Sequence, residues 1–137
     1  MPGTFPLEIV TPDRKFFSDD VEMVVVKTPQ GQIGVMKGHI PMVAAVHIGR
    51  AKILKNGELK NAILNSGFME VTRNGVVILV DTAEWPHEID VNRALEAKKR
   101  AEERLERKLS HIEYQRTQAA LSRALARIRA TRNTGRM

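Results

Sequence analysis

The chain contains no cysteine. That excludes a disulfide framework, a thiolate nucleophile and a thiolate zinc site, and it is the usage expected of a reducing compartment. Aromatic residues make up only 4% of the 137 residues, so a core must be built from Val, Ile, Leu, Met and Ala. No apolar run approaches the roughly 20 residues that a membrane-crossing helix needs. The first residues, Met1-Pro2-Gly3-Thr4-Phe5-Pro6, have neither the basic start nor the apolar stretch of a secretory signal. The expectation is a soluble intracellular protein. One further absence is of a single sign of charge: from Tyr114 onward there are six arginines and no acid.

What is present divides in two. Hydrophobic residues reach 42%, enough for one domain or a small domain with an appendage. Residues 1–87 hold nine Lys/Arg and nine Asp/Glu, whereas residues 88–137 hold thirteen and seven, so the whole net charge of +6 lies in the second part. A neutral body with a basic tail points to an acidic partner such as a nucleic acid, an anionic surface or a polyphosphate.

The first part reads as β structure. PLEIV, VEMVVVKT, AKILK, LKNAILN, FMEVT and VVILVD are short, rich in β-branched residues and separated by turn residues. Asn56-Gly57 and Asn74-Gly75 each lie between apolar runs, the pattern of a type I′ hairpin turn with positive φ at both central residues. Asp19-Asp20 reads as a solvated turn. The fold class expected is α+β, with an antiparallel β-sandwich over 1–86 followed by an antiparallel two-helix hairpin over 87–137.

The period changes after Pro86. Val91, Ala94, Ala101, Leu105, Leu109 and Ile112 recur at helical spacings, as do Tyr114, Leu121, Ala124, Leu125 and Ile128. Ser110-His111-Ile112-Glu113 between them is a capping box, which predicts a second helix starting at Ser110. Two helices of about twenty residues with a tight turn make a hairpin. Its seam is rich in alanine, which buries little area at roughly 25 cal/mol per Å². Such a hairpin either docks or opens readily, or stays packed as a permanent appendage.

Catalytic constellations do not emerge. His39, His47, His87 and His111 are scattered, without the helical spacing of a metal-ligand pair, and His39 in KGHIP reads as a histidine that holds a turn. GQIGVMKGH lacks the Gly-Lys-Ser/Thr ending and following helix of a phosphate loop. The chain is expected not to be an enzyme. Nucleic acid is disfavoured as a partner because Tyr114 is the only aromatic residue of the basic part and acids interrupt the first helix.

An anion site is the remaining candidate. With the turn centred near Ser110, Arg93 lies seventeen residues before it and Arg127 seventeen after. At roughly 1.5 Å rise per residue, antiparallel helices would set those two arginines abreast. Arg123 and Arg127 are neighbours on one face, and Arg100 stands further along the same helix from Arg93, about two turns away. An anion would convert their mutual repulsion into attraction, and guanidinium forks suit phosphate oxygens. The competing reading is a set of solvated arginines that keep the protein soluble. Asp90, before Val91, is placed as the N-cap of the first helix.

GQIGVMKGHIPMV (31–43), GFMEVTRNGVVILVDTAE (67–84) and IDVNRA (89–94), in that order, resemble three elements of the ε-subunit family of F-type ATP synthases. These are its Gly-x-Ile-Gly-x-x-x-Gly-His-x-Pro stretch, its last hairpin ending in Asp-Thr-Ala-Glu, and its I/L-D-x-x-R-A element. The resemblance implies a ten-stranded sandwich with a helical hairpin, in a non-catalytic rotor subunit of the central stalk. Implied partners are the γ subunit, the c-ring and the α/β catalytic head. The implied location is peripheral, at the cytoplasmic face of the bacterial plasma membrane, without direct insertion. It further implies a mobile hairpin that inhibits ATP hydrolysis when extended and, in some members, binds ATP when compact. The family's ATP positions fall on Ile89, Asp90, Arg93, Ala94, Arg123 and Arg127, with Glu84, Arg100 and Arg116 as secondary positions. Docking on the acidic head would use Arg116, Arg123, Arg127 and Arg129. No cofactor or metal is implied as a requirement; ATP is a regulatory ligand. The alternatives are a purely structural rotor subunit without nucleotide binding and a basic nucleic-acid adaptor.

Overall fold

In the computed structural model, residues 3–134 are described, and they form ten strands, one 3-10 turn and two α-helices. The chain divides into two compact units between Trp85 and Pro86. The first is a sandwich of two five-stranded sheets, with strand orders β2-β1-β9-β8-β5 and β10-β7-β6-β3-β4. Its strands are β1 (Phe5–Val10), β2 (Lys15–Val21), β3 (Met23–Thr28), β4 (Gly31–Met36), β5 (Met42–Val46), β6 (Gly49–Lys55), β7 (Glu58–Leu64), β8 (Gly67–Thr72), β9 (Gly75–Val80) and β10 (Ala83–Glu84). The pairings are antiparallel except that of β1 with β9, where Leu7 lies opposite Val76 in a parallel register.

Period-two alternation builds the core. Phe5, Leu7 and Ile9 of β1 and Val76, Ile78 and Val80 of β9 point inward and are buried, and Val24 and Val26 do the same from the other sheet. The interior is aliphatic apart from Phe5 and Phe16. The outer face of the first sheet is less polar than usual: Val43, Phe68, Val77 and Leu79 are exposed. The register places Phe68 opposite Leu79.

Six of the ten strands are legible from β-branched runs, and they are the six interior strands. The four that such runs do not reveal, β2, β4, β5 and β10, stand at the four sheet edges. An edge strand is paired on one side only and carries polar or charged residues that block further pairing. Asp19 and Asp20 accordingly lie inside β2 and not in a turn, and GQIGVM forms β4.

The two Asn-Gly pairs also differ. Asn56 (φ 51) and Gly57 (φ 76) both take left-handed values and form the expected two-residue turn between β6 and β7. At the second pair the turn residues are Arg73 and Asn74, and Gly75 is already paired with Thr72. Thr72 Oγ1 closes that turn, accepting from the Asn74 N–H at 3.2 Å and donating to the Gly75 carbonyl at 3.3 Å. Gly75 has φ 145, and a Cβ there would come within 2.5 Å of the Pro6 carbonyl oxygen.

The sandwich unit ends on an aromatic cluster. Trp85 stacks on Phe16 with ring centroids 4.3 Å apart and meets Phe17 edge-on at 6.2 Å. Arg14 lies over the Phe16 ring at 5.1 Å and donates to the Ala83 carbonyl at 3.2 Å.

Two outcomes are expected. Gly75→Ala destabilises the protein by on the order of 3 kcal/mol in denaturant unfolding, because it meets both a strained φ and a backbone clash. The second concerns Asp19. Its carboxylate is held below the ordinary range first by the Lys55 Nζ–H donor, then by the Asp20 N–H at 2.8 Å. A lowered folded-state value contributes stability above the unfolded carboxylate range, and that contribution is lost as pH falls through the folded value. Lys55→Met therefore raises the Asp19 midpoint in an NMR titration, and its effect on stability shrinks toward acid pH.

Candidate functional site

The second unit begins with a 3-10 turn, Pro86–Glu88, followed by α1 (Val91–Leu105) and α2 (His111–Thr134), which pack against one another as a hairpin. The Ile89 N–H donates to the Pro86 carbonyl at 3.2 Å, so the entry into α1 is itself ordered. Asp90 is the N-cap of α1: its backbone is extended (φ −84, ψ 106) and its Oδ1 accepts from the Arg93 N–H at 3.2 Å. Ser110 caps α2, its Oγ accepting from the Glu113 N–H at 3.2 Å.

The first helix is shorter than its apolar pattern indicates. It ends at Leu105, and the connection runs from Glu106 to Ser110, so Leu109 belongs to the connection. Of the expected seam residues, Ala94, Ala101, Ala124 and Ile128 are buried, whereas Ile112 is 61% and Tyr114 47% exposed. Thr117 is buried as well, which the apolar pattern does not reveal; its hydroxyl is satisfied by donating to the Glu113 carbonyl at 2.7 Å.

The altered turn shifts the pairing of the arginines. Arg93 stands twelve residues from the connection on α1, and its counterpart on α2 is Arg123, not Arg127. Arg100 is level with Arg116, five residues from the connection on each side, and Arg127 is level with Ile89 and Asp90. At about 100° per residue, Arg93 and Arg100 lie about 100–120° round from the Ala94–Ala101 line. Arg116, Arg123 and Arg127 lie about 80–120° round from the Thr117–Ala124–Ile128 line, in the same rotational sense. Because the helices run in opposite directions, both rows fall on the same edge of the hairpin. That edge has three levels: Arg100 with Arg116, Arg93 with Arg123, and Asp90 with Arg127.

None of these five arginines is buried. Arg93, Arg100 and Arg116 are exposed, and Arg123 and Arg127 are half-buried. Arg104, four residues after Arg100, continues the α1 row; stepping by four along the sequence finds it. Ala97 on α1 and Ala120 on α2 fall between the arginines and keep the space between the rows clear. Arg129 lies on the opposite edge. Ala94 is buried at the seam. Glu84 belongs to β10 of the sandwich unit.

Among the described residues, no group of three or more His, Cys, Asp or Glu side chains could hold a metal ion. His39 has a local role: its Nδ1–H donates to the Ile40 carbonyl at 2.8 Å, and its backbone N–H to the Met36 carbonyl at 3.1 Å.

Comparison with known proteins follows the same division. Residues 4–86 match the family model described as ATP synthase, Delta/Epsilon chain, beta-sandwich domain, and residues 87–132 match that of the long alpha-helix domain. The two matches in tandem define the class, a two-domain delta/epsilon chain. The ATP synthase epsilon chain of Ruminiclostridium cellulolyticum is 52% identical over 129 residues, spanning 94% of this chain and 96% of the relative. That of Caldanaerobacter subterraneus is 51% identical over 130 residues, 94% of each. The chain belongs to the epsilon-chain family of bacterial F-type ATP synthases, and its role there is non-catalytic. The fold is shared with a chain of the Euglena gracilis mitochondrial ATP synthase (TM-score 0.79, 20% identity, 92% of this chain and 80% of that one). It is also shared with a chain of the Tetrahymena thermophila mitochondrial ATP synthase central stalk and c-ring (TM-score 0.67, 15% identity, 93% and 96%).

Removing the cap that fixes this edge has a defined effect. Asp90→Ala leaves the Arg93 N–H without its acceptor and costs about 1 kcal/mol of helix stability. In thermal unfolding followed by circular dichroism, the helical signal is expected to melt earlier than in the parent chain.

Proposed function

We propose that the chain is a central-stalk rotor subunit of a proton-translocating F-type ATP synthase. In this reading it couples the γ subunit to the c-ring and restrains ATP hydrolysis through its helical hairpin, whose compact form binds ATP. The observation that carries the regulatory part is the edge of the hairpin, where a row of arginines on α1 and a row on α2 run side by side toward the capped start of α1. Family membership and the names of the relatives support the rotor part, as does the apolar outer face of the first sheet, which a permanent neighbour would cover. No helix among the described residues is long and apolar enough to cross a membrane, and the reading places the protein peripherally, at the cytoplasmic face of the plasma membrane through the complex.

Mechanistically, ATP acts as a clasp. Its phosphates bridge Arg93 on α1 with Arg123 and Arg127 on α2, and Asp90 holds the first turn of α1 to which Arg93 belongs. ATP binds only the compact arrangement, so it stabilises that state by RT ln(1 + [L]/Kd), about 2.7 kcal/mol at a hundredfold excess over Kd. When ATP falls, the helices separate, and Arg116, Arg123, Arg127 and Arg129 become available to an acidic surface of the catalytic head.

Calorimetric titration of the full chain with ATP tests this reading. Binding without a required metal is expected, weakened about tenfold or more in Arg123→Ala, since charge-assisted bonds to phosphate are lost. Equal heats in parent and variant would remove Arg123 from the site. No heat at millimolar ATP would leave a structural rotor subunit.

A further inference from the structure

The arginine edge is longer than a nucleotide needs. From the level of Arg100 and Arg116 to that of Arg127 is eleven residues on α2, about 16 Å at the helical rise. The triphosphate of a nucleotide is too short to touch all three levels at once. On α2, residues 117–126 contain no carboxylate; on α1 the one acid between Arg93 and Arg100 is Glu96, three residues from the first and four from the second. Glu96 sits on the outer side of the α1 row, Glu113 stands three residues before Arg116 and nearer the seam, and Asp90 occupies the third level beside Arg127, its Oδ1 engaged by the Arg93 N–H.

We propose that this edge is a binding site for linear polyphosphate chains longer than a triphosphate. Such a chain lies along the hairpin between the two rows, its oxygens taking guanidinium donors alternately from α1 and α2. The levels of Arg100 with Arg116 and of Arg93 with Arg123 each supply a pair of forks, the third supplies Arg127 alone, and fork geometry matches phosphate oxygens. A bare polyphosphate fits better than a single-stranded nucleic acid. The one aromatic side chain of the unit, Tyr114, stands off this edge near the connection, so no platform for stacking bases is present. Polyphosphate then competes with a nucleotide for Arg93, Arg123 and Arg127 and engages Arg100 and Arg116 in addition. The proposal rests on the ATP reading only in sharing those three arginines.

The test is calorimetry on the full chain with tripolyphosphate, linear hexaphosphate and a single-stranded oligonucleotide of matched charge, at one ionic strength. Hexaphosphate is expected to bind about tenfold tighter than tripolyphosphate. Arg100→Ala and Arg116→Ala each abolish most of that gain and leave tripolyphosphate unchanged. Arg129→Ala, on the opposite edge, leaves both unchanged. All three positions are exposed, and circular dichroism checks that the variants keep their helices. The proposal is overturned if hexaphosphate binds no tighter than tripolyphosphate. It is equally overturned if Arg129→Ala costs as much as Arg100→Ala, or if the oligonucleotide binds as well, since the edge then responds to charge alone. ATP binding without a hexaphosphate gain sinks this proposal and leaves the ATP reading standing. A hexaphosphate gain through Arg100 and Arg116 with no ATP heat does the reverse.

Discussion

The hairpin depends on a seam made of small side chains. Ala94, Ala101, Thr117 and Ala124 are buried there, with Ile128 as the one large exception. Small residues let helices approach toward the near end of the usual interaxial range of about 8–10 Å. They also bury little apolar area, so the association gains little from the hydrophobic effect. The second consequence bears on the arginines. Two rows of guanidinium groups share one edge, and a weak seam gives their repulsion weight in the balance. A leucine-lined seam would hold the helices together whatever stood beside it.

The sandwich is the opposite case. Its interior is closed by branched aliphatic side chains from both sheets, several of them fully buried. It concentrates aromatic packing where the chain leaves it: Phe16, Phe17 and the overlying Arg14 fix Trp85, the last residue before the helical unit begins. A firm end and a lightly held hairpin therefore meet within a few residues.

Much of this was readable from residue order, for reasons that differ by position. Interior strands must satisfy two neighbours and two packed surfaces, so β1, β3, β6, β7, β8 and β9 carry runs of β-branched residues. The edges β2, β4, β5 and β10 are paired on one side only: β2 keeps charged residues, and β4, β5 and β10 are short or rich in glycine and alanine, so none carries a β-branched run. Asp90 and Ser110 were legible as caps because capping is local chemistry. The level pairing of the arginines was not, because it depends on where α1 stops. Glu106 to Ser110 keep enough helix-forming residues to look like a continuation. A shift of a few residues in the turn exchanged Arg127 for Arg123 as the neighbour of Arg93 and set Arg127 beside the N-cap.

The parallel pairing of β1 with β9 sets an order of events in folding. Residue 7 is held beside residue 76, so the first sheet cannot close until nearly the whole sandwich sequence is present. Pairings that distant form slowly, because a long loop must be ordered before any contact rewards it. The hairpin needs only neighbours across a five-residue connection and forms on a faster scale. The helical unit, which follows the sandwich in the chain, is thus the quicker of the two to take shape.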